Sequence, residues 1–382
     1  MAEYVKGLEG IVAAETSLSK VDGQAGRLTI GGFSLEDLAP NATFEEVLYL
    51  LWHGSLPTAA QLKDLRTEMV SYRSLPKGTL DIVREAAIAK VQPMDALRMG
   101  AASLSLADPD PKDESVEANL RRAIILAAGF PTIVAAFWRM KNGQEPVEPS
   151  TTLGHAANYL YMLQNSEPDP AMARGLETYL NSVVDHGLNA STFTARVIVS
   201  TQSDMISAIT GAVGALKGPL HGGAPGPALD MVFEIGKPEN AEEYLKAKLA
   251  RGERIMGFGH RVYKVRDPRA DVLSQAADKL FDKAGDRSLY ELVQAVEEIT
   301  LRVLEEHKPG RNLKTNVEFY TALLLHGVGL EADIFSSTFA VGRVGGWTAH
   351  VLEQQRDNRL IRPSAIYTGE FNRSWVPLNE RK

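Results

Sequence analysis

Apolar residues recurring every third or fourth position through most of the chain limit what this sequence can fold into. Phe44, Val47, Leu48, Leu51 and Trp52 fall at the i, i+3, i+4, i+7, i+8 spacing that lines one face of a buried helix. Thr43 with Glu46 three residues on supplies a capping box before it, and Gly54 ends it. The same period predicts helices over Leu120–Ala128, His155–Leu163, Ala171–His186, Met205–Lys217, Ala241–Arg251, Ala270–Ala284, Leu289–His307, Val317–His326 and Ser337–Gln355. Pro, Gly and Asp clusters separate them, as at 108–111, 142–143, 168–170, 225–227 and 309–310. Only the segment Ile11–Phe33 departs from this pattern. Its short apolar runs and the turn pairs Asp22-Gly23 and Gly31-Gly32 fit a small hairpin. The expected class is mainly α, with a small N-terminal β-hairpin.

The 382 residues are enough for two domains or one large one. Hydrophobic residues at 44% and charged residues at 23% describe a folded chain and exclude a disordered one. A net charge of −7 gives no global field for a phosphate backbone, so no nucleic-acid partner is expected. With no cysteine, disulfides, thiolate nucleophiles and cysteine-based metal sites are excluded. The first seven residues carry neither a signal-peptide run nor an Arg-rich transit pattern. The most apolar stretch, Ala123–Trp138, is interrupted by Gly129 and Pro131, which reads as a buried helix pair and not a membrane span. A cytoplasmic location and no membrane partner are expected. Two glycine-bearing breaks, at Lys217-Gly218-Pro219 and from His326 to Leu330, read as the edges of an inserted smaller domain.

Among eight histidines, context separates three. His53 and His326 end amphipathic helices beside a glycine, where imidazole suits the helix dipole and Gly the left-handed cap. His307 lies in an acidic helix end, and His155 and His350 sit inside helical patterns as core histidines. His186 instead closes a helix and is followed by small polar residues up to Thr192. His221 lies in Lys217–Pro225, which is too glycine-rich for regular structure, and His260 lies in Met256–Lys264. Glycine permits close backbone approach to a ligand, and loop histidines on a rigid scaffold commonly carry function. Arginines supply the matching ligand requirement, because a guanidinium grips carboxylate or phosphate bidentately. Arg261 and Arg269 follow His260, Arg343 stands among glycines in an apolar helix, and Arg362 precedes Pro363.

With these residues in view, the sequence resembles the citrate synthase family over nearly its whole length, from Gly7 to Pro363. Five segments match family motifs in order: 185–192, 218–224, 256–269, 316–320 and 339–354. The resemblance implies a two-domain helical homodimer, with a large domain over 1–221 and 329–382 and a small one over 222–328. It implies condensation of acetyl-CoA with oxaloacetate and hydrolysis of the thioester to citrate and CoA. No cofactor is implied, acetyl-CoA being a substrate, and no metal. By likeness His186, Asn189, His260, Arg269 and Arg343 bind oxaloacetate, with Arg362 reaching in from the neighbouring subunit. His221 meets the enolising thioester, His260 the keto group, and Glu318 holds the position of the base. The likeness also places CoA phosphates near Lys264, Arg266, Arg311 and Lys314, and adenine near Met256, Gly257, Phe258 and Gly259.

One departure stands out. The family usually has Asp where this chain has Glu318, and Thr321-Ala322 replaces the small pair that commonly follows. The nearest alternative is 2-methylcitrate synthesis from propionyl-CoA, since one methyl is worth only about 1–3 kcal/mol of discrimination. Two other classes are a three-histidine metallohydrolase, although no His-Glu-x-x-His helix is present, and a CoA-binding paralogue without activity.

Overall fold

A computed structural model describes residues 4–221, 226–260, 262–311 and 313–381. Arg261 and the 222–225 part of the glycine-rich segment after His221 lie outside the described residues. The N-terminal sheet is antiparallel, with β1 (Ser19–Asp22), β2 (Arg27–Ile30) and the short β3 (Phe33–Ser34) in sequence order. Alternation on β2 turns Leu28 and Ile30 inward. The expected hairpin is therefore present, with one further strand.

Helices make up nearly all the rest. After α1 (Leu35–Leu38), α2 (Phe44–His53) starts on a reciprocal capping box between Thr43 and Glu46 and ends at a left-handed Gly54. The chain continues through α3 (Ala59–Ser71), α4 (Lys77–Ile88) and α5 (Pro93–Ser103), which the periodicity does not pick out. Their signal is faint: α3, for example, buries only Leu65 and Met69. Next comes α6 (Val116–Lys141), one helix of 26 residues running straight through Gly129 and Pro131. This corrects the expected helix pair. The helix is long and apolar enough to cross a membrane, yet 89% of its most apolar stretch is buried inside the fold. Packing on every side offsets the proline's lost hydrogen bond. Gly129 keeps the backbone close to Leu104, which an added Cβ would approach to 2.9 Å.

The elements that carry the site follow. They are α7 (His155–Gln164), α8 (Pro170–Val183), α9 (Ala190–Ser200), α10 (Met205–Leu216), α11 (Gly226–Ile235), α12 (Pro238–Ala250), α13 (Pro268–Ala284), α14 (Ser288–His307), α15 (Val317–Gly327) and α16 (Phe335–Arg356). The helix expected to reach His186 stops at Val183, because α16 takes its last carbonyls. Arg343 Nε donates to Val183 O at 2.6 Å, and the Gly346 amide donates to Val184 O at 3.1 Å. This contact requires glycine. A Cβ on Gly346 would lie 2.2 Å from that carbonyl oxygen. Helix α16 packs at the centre, against α2, α6, α8, α9 and α10. Helices α11–α15 pack chiefly among themselves, and α13 and α15 also rest on α8. At the end of α15 the left-handed residue is Gly329, two positions beyond the Gly327 expected to cap it.

Candidate active site

The ends of α8 and α10, the starts of α9, α13 and α15, part of α16 and the loops of His221 and His260 converge on a cavity of about 740 Å³. Its wall holds His186, Asn189, His221, His260, Arg269, Glu318 and Arg343. The N-terminal segment crosses one side through Gly7, Leu8, Ile11 and Ala13.

The turn between α8 and α9 positions His186. Beneath it Asp185 is fully buried, accepting from Ser19 Oγ of β1 and contacting His350 Nε2 at 3.2 Å. Ser19 Oγ in turn accepts the Gly187 amide at 2.8 Å. Burial pushes the Asp185 carboxyl up, but His350 and the Ser19 hydrogen bond outweigh it and hold it below the usual range. His350 Nδ1 meets Arg196 at 2.8 Å, and Arg196 pairs with Glu353 at 2.7 Å. The His186 ring lies against Tyr263, whose hydroxyl is 3.0 Å from its Nε2. Burial, then Arg269 and Arg343, keep this imidazole well below its usual value and hence neutral. Asn189 acts locally, its Oδ1 capping α9 by accepting the Thr192 amide at 3.1 Å.

His221 is held from α9. The Ser191 amide donates to its Nε2 at 3.2 Å, with the Ser191 hydroxyl 2.7 Å from the same nitrogen. A nitrogen that accepts from an amide carries no proton, so the proton of neutral His221 sits on Nδ1. Burial and Arg343 depress the ring to about 4. Trp347 of α16 donates to Ser191 Oγ at 3.0 Å and fixes that serine in place.

His260 has the opposite tautomer. The amides of Val262 and Tyr263 both donate to its Nδ1, at 3.0 and 3.1 Å, leaving the proton on Nε2. That Nε2 is 3.5 Å from Arg269 Nη2. Two donors so close call for an acceptor between them. Burial, followed by Arg269, lowers His260 to about 4.

The arginines differ. Arg269 is buried and held by Asp267, with Nε–Oδ1 at 3.0 Å and Nη2–Oδ2 at 2.8 Å. Arg343 is 2% exposed, lies over the Phe339 ring at 4.6 Å and gives its Nε to a carbonyl, with no carboxylate paired to it among the described residues. Burial drags it down to about 10, Asp185 offsetting only part of this and Arg269 adding to it. A buried guanidinium without a carboxylate is costly unless an anionic ligand completes it.

Glu318 lies in the first turn of α15, where its amide donates to Asn316 Oδ1 at 3.0 Å. Asn316 also donates from Nδ2 to Gly259 O at 2.9 Å, tying the helix start to the loop of His260. Desolvation raises the Glu318 carboxyl to about 7, against the pull of Arg269. The site therefore combines three neutral imidazoles, two buried cations and a carboxylate poised to take a proton near neutrality.

Residues 7–364 match the family described as "Citrate synthase, C-terminal domain". The chain belongs to the citrate synthase family. It is 45% identical over 383 residues to citrate synthase of Haloferax volcanii, covering 99% of each. It is 39% identical to 2-methylcitrate synthase 1 of Corynebacterium glutamicum, covering 98% of each. The fold superposes at TM-score 0.90, with 30% identity and 100% coverage of both chains, on citrate synthase of Thermoplasma acidophilum. That structure is a ternary complex with carboxymethyl coenzyme A and oxaloacetate.

The remaining sequence-predicted residues lie elsewhere. Arg362 is exposed and not in the cavity wall. Lys264, Arg311 and Lys314 are exposed outside the wall. Met256, Gly257, Phe258 and Gly259 run antiparallel to 313–316, with Gly259 N donating to Lys314 O at 2.7 Å. Arg266 turns inward to Asp271 and Glu297 and stacks at 5.6 Å over Tyr320. Its guanidinium is therefore an internal tie in this structure.

Sequence reasoning missed Tyr263, Ser191, Trp347, Asp185 and Asp267. Of these, only Asp267 carries a local signal, an Asp-Pro pair opening a helix. His350 lies in the core, as its helical pattern implies, but it also directly supports the His186 turn. His155 is a core histidine too, though its Nε2 has no partner among the described residues. Among the described residues no cluster of His, Cys, Asp or Glu is arranged to hold a metal ion.

Proposed function

We propose that this enzyme condenses acetyl-CoA with oxaloacetate and hydrolyses the resulting thioester to citrate and CoA. The observation carrying this reading is the Ser191 amide on His221 Nε2, which leaves a neutral Nδ1–H donor in the wall that also holds Glu318. Ionised Glu318 takes a proton from the thioester methyl group. The electron pair moves to the thioester oxygen, stabilised by the His221 Nδ1–H without a formal cation. The enolic carbon then attacks the keto carbon of oxaloacetate. His260 Nε2–H, beside Arg269, donates to the oxygen that gains charge. Arg269 and Arg343 suit the two carboxylates of that substrate. Water then cleaves the thioester and releases the CoA thiol.

The large and small domains, over 1–221 with 329–382 and over 222–328, belong to the same proposal. So do Asn189 in the oxaloacetate site and the 256–259 loop with Lys264, Arg311 and Lys314 in CoA binding. A homodimer with Arg362 supplied across the interface is supported by the C-terminal tail. There Ile366, Tyr367, Phe371, Trp375 and Leu378 are all exposed on the single chain. Thiol release from acetyl-CoA, dependent on oxaloacetate, tests the reaction. The absence of release from both acetyl- and propionyl-CoA overturns it, and a higher kcat/KM with propionyl-CoA reassigns it to 2-methylcitrate synthesis.

A further inference from the structure

Among the cavity-wall residues, Tyr179 has no part in the chemistry described so far. It lies on α8 one turn before Val183, so both side chains share a helix face, and both line the cavity. Val183 is the residue whose carbonyl holds Arg343 Nε at 2.6 Å, which brings that guanidinium to the same face. The Tyr179 side chain is fully buried, and its hydroxyl has no hydrogen-bond partner among the described residues. Tyr159, by contrast, pairs its hydroxyl with Thr338 Oγ1 at 2.9 Å. A buried phenol is normally partnered, because an orphan hydroxyl forfeits its bonds to water. Burial also keeps the Tyr179 phenol protonated, with Arg343 the charge it senses most.

We propose that the Tyr179 hydroxyl is a further donor to the dicarboxylate substrate, closing on the carboxylate gripped by Arg343. This rests on the assignment of oxaloacetate to the cavity. Arg343 already gives Nε to Val183, so its two terminal nitrogens remain for the ligand. A neutral phenol beside them adds a hydrogen bond without adding charge. It also selects for a carboxylate with a free lone pair at that end, against a monocarboxylic keto acid lacking the group.

The test is Tyr179→Phe, which keeps the ring and removes only the oxygen. Calorimetry with oxaloacetate alone measures affinity in parent and variant, alongside the melting midpoint without ligand. A hydrogen bond to a charged group implies that the variant binds oxaloacetate about 10- to 100-fold more weakly. Its ligand-free midpoint should be no lower than the parent's, since no buried hydroxyl is left unpaired. The KM for acetyl-CoA should be unchanged. Unchanged oxaloacetate affinity overturns the proposal, as does weaker binding accompanied by a lower ligand-free midpoint, which marks a structural role. A fall in kcat with a displaced pH profile but unaltered oxaloacetate affinity also overturns it, by assigning the hydroxyl to Glu318. If the parent itself does not bind oxaloacetate, the functional assignment fails first.

Discussion

Replacing Glu318 by Gln should abolish enolisation and at the same time stabilise the fold. Both effects come from one desolvated carboxyl. Burial raises it from an ordinary 4.5 to about 7. Each tenfold change in proton affinity is worth about 1.4 kcal/mol, so the ionised form costs the fold about 3 kcal/mol relative to the unfolded chain. Contact with the cavity reduces this, and about 1–3 kcal/mol is expected. The sign follows from which state holds the proton. Below 4.5 both states are protonated and there is no penalty. Between 4.5 and 7 only the unfolded chain ionises, so the penalty grows with pH, and above 7 it is constant. Glu318→Gln removes it, so the variant's gain in melting midpoint should be near zero at about pH 4.5 and fully developed at about pH 8. In parallel, exchange of acetyl-CoA methyl protons into solvent, followed by NMR with oxaloacetate present, should vanish at every pH. In the parent, kcat/KM should rise about tenfold per pH unit below 7 and level off above it. Retained exchange, or a variant no more stable relative to the parent at the higher pH than at the lower, would refute the reasoning.

Other expectations follow from the same geometry. Asp267→Asn strips the buried Arg269 guanidinium of its bidentate partner and should destabilise the fold by about 3–5 kcal/mol, read from the denaturant midpoint. Gly257→Ala puts a Cβ 2.9 Å from the Phe319 ring at a residue with φ of 83°, and should cost about 1–3 kcal/mol and slow turnover by displacing the His260 loop. A dianion beside His260 should raise that ring from about 4; its NMR titration midpoint should climb on saturation with oxaloacetate, and a static midpoint would place the ligand elsewhere.

The helices legible in the sequence are those whose apolar positions keep the helical period between recognisable ends. The period through Phe44–Trp52 and the Thr43–Glu46 cap define α2 closely. Helix α6 misleads for a physical reason. Pro131 breaks a helix whose freed carbonyl has nowhere else to go, but α6 is enclosed along most of its length and tertiary packing overrides the local rule. The end of α8 is misplaced by periodicity because its last two carbonyls are capped by Arg343 and Gly346, far away in sequence. No local pattern records such a partner.

The site divides along the same line. Context marks His186 by the small polar residues after it and His221 and His260 by their irregular loops, and the structure brings all three to one cavity with Arg269, Arg343 and Glu318. What periodicity and motif cannot assign is which nitrogen of each imidazole carries the proton, and that decides the chemistry. The Ser191 amide makes His221 an Nδ1–H donor, and the amides of Val262 and Tyr263 make His260 an Nε2–H donor. These donors are backbone groups whose direction is set by the start of α9 and by the backbone at Val262 and Tyr263, so they persist through side-chain substitution. Ser191→Ala removes the hydroxyl yet keeps the amide, and His221 should stay neutral with only a modest loss in rate. A substitution that bends the start of α9, such as Asn189→Ala at its cap, should cost more, although Asn189 forms no bond to His221 itself. The backbone, not the serine side chain, is what keeps this imidazole uncharged.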